Sequence, residues 1–237
     1  MTSLVKGSRG SYTPNTQNVE KQALFPFYKP YTILQTVSGY LNGQRMETTV
    51  QAILSESANL KATLSNDPKF INSVSGAAEK LAACVKAGGT IFACGNGGST
   101  CDAMHLCEEL VARYKRNRPG IKAMHFMDSG VLTCWGNDVA FDDAFARYAE
   151  TFCTSKDVLV AISTSGNSKN VLKAVSAAKA KGCLIIGLAG KDGGQLASQC
   201  DVAVVVPSQA TERIQEVHIT CIHAWCELLE TSLGLAS

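Results

Sequence analysis

The chain carries almost no excess of one charge: 22 Lys and Arg oppose 20 Asp and Glu over 237 residues, a formal net charge of +2. No block of Lys and Arg gathers either, so nucleic acid or membrane binding through bulk electrostatics is not indicated. Long apolar runs are missing: no stretch approaches the roughly 20 residues that span a bilayer, and the N-terminus lacks the continuous apolar core of a signal peptide. The ten cysteines (84, 94, 101, 107, 134, 153, 183, 200, 221, 226) include no CxxC pair. Several, such as Cys94, Cys183 and Cys221, sit inside apolar patterns, which suits small buried hydrophobes in a reducing compartment and not a disulfide framework. A cytoplasmic protein is expected. A Walker A loop is absent, since no GK[ST] follows the glycines, and so is GxGxxG, which disfavours a dinucleotide site. No internal repeat is strong enough to use.

What is present is an alternation of strands and helices that starts near residue 90. Residues 1–45 stand apart from it, with Pro14, Pro26 and Pro30, three of the six prolines, and no sustained period. They read as a flexible extension before a start at Met46, or as an arm that packs on a neighbouring subunit through Phe25, Phe27, Tyr28 and Tyr31. The remainder, 46–237, reads as one domain. Two helices are expected near 47–65 and 68–87, the second capped by Asn66 or Asp67 and ended by Gly88-Gly89. Strands follow at Thr90–Cys94, Ala123–Met127, Val158–Ser163, Cys183–Leu188 and Val202–Val206. Helices lie between them, an irregular stretch surrounds Gly136-Asn137-Asp138, and a long helix Glu212–Leu233 closes the pattern. Short apolar strands separated by helices imply a parallel sheet covered on both faces, with the ligand crevice at the carboxyl ends of the strands.

Two loops sit at those ends. The strand Val158–Ser163 runs into Thr164, Ser165, Gly166, Asn167 and Ser168 and then a helix. Hydroxyls and backbone N–H groups at the positive end of a helix dipole suit a phosphate dianion, although ordinary polar turn residues capping a helix give the same letters. The second loop, Cys94-Gly-Asn-Gly-Gly-Ser99, also links strand to helix, and its glycines allow a ligand to approach the backbone. On the helix after it, His105 and Glu109 are four residues apart and share a face. The pair is either an exposed helix pair or, above a ligand loop, a general base or metal site. Glu108 points elsewhere. On the last helix Gln215 and His223 lie about 80° apart around the axis, and His218 and His223 about 140°. Either histidine fits a hydrogen-bonded core role as well.

Taken together, Gly95-Asn-Gly-Gly-Ser99, Cys101-Asp-Ala-Met-His105, Glu108-Glu109, Arg118-Pro-Gly, Gly136-Asn-Asp138, Ser163-Thr-Ser-Gly-Asn-Ser168, Gly190-Lys-Asp-Gly-Gly194 and Arg213-Ile-Gln-Glu closely resemble the phosphoheptose isomerases. These are the sedoheptulose 7-phosphate isomerases of the SIS (sugar isomerase) family. The resemblance runs in order from about Met46 to the C-terminus. It implies an α/β fold: a flavodoxin-like three-layer sandwich with a parallel five-stranded sheet, two N-terminal helices and a long C-terminal helix. It implies a homotetramer with active sites between subunits. The reaction it implies turns D-sedoheptulose 7-phosphate into D-glycero-D-manno-heptose 7-phosphate through an enediolate, the first step towards nucleotide-activated heptoses of surface polysaccharide. By position, Ser163, Thr164, Ser165 and Ser168 would hold the phosphate. Asn96, Gly97, Gly98, Glu109, Asn137, Asp138 and Gln215 would line the substrate, with Glu109 and His223 as the acid–base pair. His105, Glu109, Gln215 and His223 match the residues that bind zinc in family members holding a metal, one Zn²⁺ per subunit. Two departures are visible: Thr100 stands where relatives often have His, and the loop after Pro207 is about one residue shorter.

One rival reading is catalytic, a different aldose–ketose phosphate isomerase, which only the family resemblance excludes; the others are non-catalytic. The DnaA initiator-associating protein resembles the same family but lacks the Glu of the His/Glu helix and the last His, both present here as Glu109 and His223. A sugar-phosphate sensor would need an output module, and residues 1–45 do not look like a helix-turn-helix.

Overall fold

The structure is a computed structural model that describes residues 43–235. The expectations for residues 1–42 lie outside the described residues. Contacts divide the chain at Thr49 and Val50 into two units. The described part of the first is the opening of helix α1, where the Thr49 hydroxyl donates to Arg45 O at 2.8 Å. The second holds the sheet.

Helix α1 spans Gly43–Ser65 and α2 spans Pro68–Lys86. The first therefore begins three residues before Met46, so the boundary expected at 45/46 falls inside a helix. Gln44 and Arg45 are good helix formers that an apolar-period search passes over. Asp67 starts α2: its carboxylate accepts from Lys69 N at 2.9 Å, and Pro68 occupies the first turn, where its missing N–H has no partner to lose.

The chain then alternates β1 (Ile91–Gly95), α3 (Gly98–Val111), β2 (Ala123–His125), α4 (Ser129–Trp135), α5 (Ala144–Phe152), β3 (Val158–Ser163), α6 (Lys169–Ala180), β4 (Leu184–Gly190), α7 (Gly194–Ala197), β5 (Val202–Val206) and α8 (Thr211–Ser232). The five strands are parallel in the order β2-β1-β3-β4-β5, the flavodoxin-like arrangement. Alternate residues of each strand feed opposite layers. On one face Ile91, Ala93, Val160 and Ile162 pack with Leu81, Leu106 and Trp225 of α2, α3 and α8. On the other, Phe92, Leu159 and Ala161 pack with Phe145 and Val175 of α5 and α6. A three-layer sandwich results. All ten cysteines are free, and most are buried, Cys101 and Cys134 being exposed. No helix among the described residues is long and apolar enough to cross a membrane.

One stretch differs from expectation. The residues read as irregular before α5 hold helix α4, a π turn at Gly136–Ala140 and a 3-10 turn at Phe141–Asp143. Asp128 caps α4 by accepting from Val131 N at 2.9 Å, a signal masked by Gly130 inside the helix and Gly136 at its end. The sequence order reverses between β1 and β3, so the crevice at their carboxyl ends is where a ligand is expected.

Candidate active site

Strand β3 ends at Ser163, and the chain turns at Gly166, whose φ is +65° and whose N–H donates to Ser163 O at 2.9 Å. Only glycine fits: a Cβ there would meet Gly193 O at 2.1 Å. The loop after β4 thus braces the turn. Leu196 N donates to Gly166 O at 2.9 Å, and Gln195 N to Asn167 Oδ1 at 3.1 Å. Inside the turn, Ser163 Oγ lies 2.9 Å from Ser168 Oγ and 3.4 Å from Ser165 Oγ. Ser168 is the N-cap residue of α6, yet its side chain makes no capping bond. Its hydroxyl faces the other serines, and the helix start keeps N–H groups for a ligand. Three of the expected phosphate hydroxyls are therefore gathered, with Thr164 half-buried between them.

Helices α3 and α8 run side by side in the same direction. Gln215 lies at one end: a Cβ on Gly98 would come within 2.3 Å of its Nε2. Further along, His105 Nε2 is 3.2 Å from Glu109 Oε1 and 3.1 Å from His223 Nε2. Beyond these, Lys115 pairs with Glu227 at 2.6 Å and Arg118 with Glu230 at 2.9 Å. The ring of Tyr114 stacks on His223 at 5.9 Å between centroids. Arg118 and Glu230 are almost fully buried. The guanidinium also donates to Glu109 O and Leu110 O, at 2.8 and 2.9 Å, satisfying carbonyls that the end of α3 leaves open.

The donor atoms of His105, Glu109 and His223 all lie within 4.8 Å of one another. Two imidazoles and a carboxylate are the donor set of an open, three-ligand zinc site. Zinc bonds of about 2.0–2.1 Å in a tetrahedron would set ligand atoms roughly 3.3–3.4 Å apart, close to the 3.2 and 3.1 Å observed. The residues fit the ion. The carboxamide of Gln215, expected with them, lies beside Gly98. Glu109 commits Oε1 to this group, and its Oε2 has no hydrogen-bond partner among the described residues.

The carboxamide of Asn96 does not hang free over the crevice but pairs with Asn170. Gly97 turns the chain into α3 at a φ of +57°. Asn137 and Asp138 lie exposed on the π turn, the amide of Asn137 donating to Asp138 Oδ1 at 2.8 Å. His218 is a core residue: fully buried, it lies with Nε2 3.1 Å from Ala189 O, and burial lowers its pKa to about 4. Sequence reasoning missed Asn170, Tyr114 and Asp102. Asp102 is buried one turn before His105 with Oδ2 unpaired. Burial pushes its pKa up to about 6, against a smaller opposite pull from His105. Arg118 has a buried partner, Glu230, that no local pattern indicates.

With this geometry in place, comparison with known proteins adds three findings. The SIS domain family model matches residues 57–190. A phosphoheptose isomerase of Pectobacterium atrosepticum is 46% identical over 186 residues, covering 78% of this chain and 96% of that protein. Among solved structures, phosphoheptose isomerase GmhA from Neisseria gonorrhoeae aligns with a TM-score of 0.74 at 37% identity, over 78% of this chain and 99% of that one.

Proposed function

The chain belongs to the SIS domain family and, within it, to the phosphoheptose isomerases, and from that premise we propose how its side chains divide the work. It is an isomerase of sedoheptulose 7-phosphate, giving D-glycero-D-manno-heptose 7-phosphate, a precursor of activated heptoses for surface polysaccharide. Moving the carbonyl from C2 to C1 requires a proton to leave C1, another to arrive at C2, and a proton to pass between the two oxygens. The observation that carries our assignment is the His105–Glu109–His223 group at 3.1–3.2 Å, built between α8 and α3, the helix that leaves the Gly95–Ser99 loop.

Ser163, Thr164, Ser165 and Ser168 hold the phosphate, with N–H groups from the start of α6. Asn96, Gly97, Gly98, Gln215, Asn137 and Asp138 line the sugar. Glu109 takes the C1 proton through Oε2, while His223, held against the Tyr114 ring, handles the proton at the oxygen or at C2. Where zinc is bound instead, His105, Glu109 and His223 would hold it, with Gln215 as a further ligand. When bound, the ion supplies Lewis-acid polarisation of the substrate carbonyl.

A homotetramer in the cytoplasm completes the reading, formed by residues 46–237. Support for assembly comes from Val50, Ile53 and Leu54, exposed on one stretch of α1, and from a groove of about 380 Å³ lined by Leu64, Phe70, Ile71, Val217 and Leu228. The test is turnover of sedoheptulose 7-phosphate by purified protein, with and without a chelator, followed by detection of the aldose. Product lost with chelator and regained with Zn²⁺ supports the metal assignment. Product in both samples makes zinc dispensable, and no product from a folded tetramer removes the assignment of the acid–base pair.

A further inference from the structure

The loop from β1 into α3 and the turn from β3 into α6 are tied by one pair of side chains. Asn96 Nδ2 donates to Asn170 Oδ1, and Asn170 Nδ2 donates to Asn96 Oδ1, both at 2.8 Å. The two bonds close a ring between residues 74 positions apart. Asn170 is only 3% exposed. Its Oδ1 also accepts from Val171 N at 3.0 Å, so the same carbonyl serves an open donor at the start of α6. Two antiparallel directional bonds fix both amide planes as well as their separation. A single bond would let Asn96 swing.

The position of this ring matters more than its stability. Asn170 follows the last phosphate-site hydroxyl, Ser168, by two residues, and Asn96 precedes Gly97 and Gly98. The ring therefore transmits the location of an anchored phosphate to the loop that meets the sugar. We propose that Asn170 is a positioning residue for the isomerisation, acting through Asn96 to hold the sugar-facing loop in register with the phosphate turn. This rests on the reading above, in which the phosphate occupies Ser163–Ser168 and the sugar lies against Asn96–Gly98. The side chain of Asn170 is bonded to Asn96 and to Val171 N. Its effect is on the alignment of C1 with the base, and displacement of about 1 Å in such an alignment costs on the order of 100-fold in rate.

The experiment is a double-mutant cycle in the full chain with Asn96→Ala, Asn170→Ala and the double variant. For each, kcat and KM for sedoheptulose 7-phosphate, competitive inhibition by inorganic phosphate and urea unfolding are measured. Asn170→Ala is expected to lower kcat about 10- to 100-fold, to leave phosphate inhibition at wild-type strength, and to add nothing to the loss already present in Asn96→Ala. The same fold-loss in both backgrounds overturns the proposal, as does phosphate inhibition that weakens in step with kcat. Should Asn170→Ala fail to fold, Asn170→Asp keeps the acceptor for Asn96 Nδ2 and Val171 N and replaces the donor with a carboxylate oxygen and its charge. It is expected to lower kcat in the Asn96 background alone, and a wild-type kcat overturns the proposal. A wild-type enzyme insensitive to phosphate sinks the phosphate-turn reading instead, and the coupling of Asn170 to Asn96 is then decided by the kcat values of the cycle.

Discussion

Six consecutive residues, Ser163 to Ser168, make the hydroxyl turn, whereas the His–Glu–His group joins two helices whose histidines lie 118 positions apart. The turn takes its shape from a strand end, a helix start and one brace. The histidine–carboxylate group takes its spacing from the packing of α3 on α8, with the buried Arg118–Glu230 pair fixing the far end. The contrast assigns separate consequences. Damage to the turn should weaken binding of the phosphate and leave the chemistry intact, and damage along the helix pair should do the reverse.

The sharpest way to break that contrast is Glu109→Gln. We expect kcat to fall by about 10²–10⁴ with the fold and phosphate inhibition unchanged, and substantial residual turnover would remove Glu109 as the base. Next comes Arg118→Met, which strands the Glu230 carboxylate in the core. Urea unfolding should show a loss of about 3–5 kcal/mol, much of it recovered when Glu230→Met is added. If the single variant keeps wild-type stability, the pair is not what fixes the two helices. Smaller is Ser168→Ala, where one hydrogen bond to a charged phosphate, about 1.5 kcal/mol, should raise KM about tenfold and spare kcat. A kcat loss with constant KM would erase the proposed division between the ends.

The mildest effect is on the pH dependence of stability, measured on chelator-treated protein. His218 binds its proton more weakly folded, at about 4, than unfolded, near 6.5, so its contribution is lost as pH falls through that window. Asp102 has the opposite sign. Its folded pKa of about 6 exceeds the usual 3.8, so its contribution is lost as pH rises from about 4 to 6. The two oppose each other, and Asp102→Asn should steepen the rise in stability with pH. An unchanged slope would show that Asp102 is not held near neutrality by burial.

The same contrast explains what could be read from the letters. Strands such as Val158–Ser163 and the turn after them are local: an apolar β-branched run, a glycine and hydroxyls suffice. Helix α4 was hidden because Gly130 and Gly136 look like loop, although Asp128 caps it. Periodicity alone left His105 and Glu109 open between an exposed pair and a site; eight matched segments of a family resemblance separated the readings. No local pattern shows that the Gln215 carboxamide lies beside Gly98. Asn170 gave no signal, since its meaning depends on Asn96, 74 positions away. Only the folded sheet puts the two in register.

The contact between Gly166 and the Gly193 carbonyl also bears on transplantation. A designer who grafted Ser163–Ser168 onto another parallel sheet would carry over every hydroxyl but not the wall that shapes them. Without Gly193 to Leu196 alongside, Gly166 could open and Ser168 could revert to an ordinary helix cap. The smallest portable unit is thus two successive strand ends with their loops, not a six-letter motif.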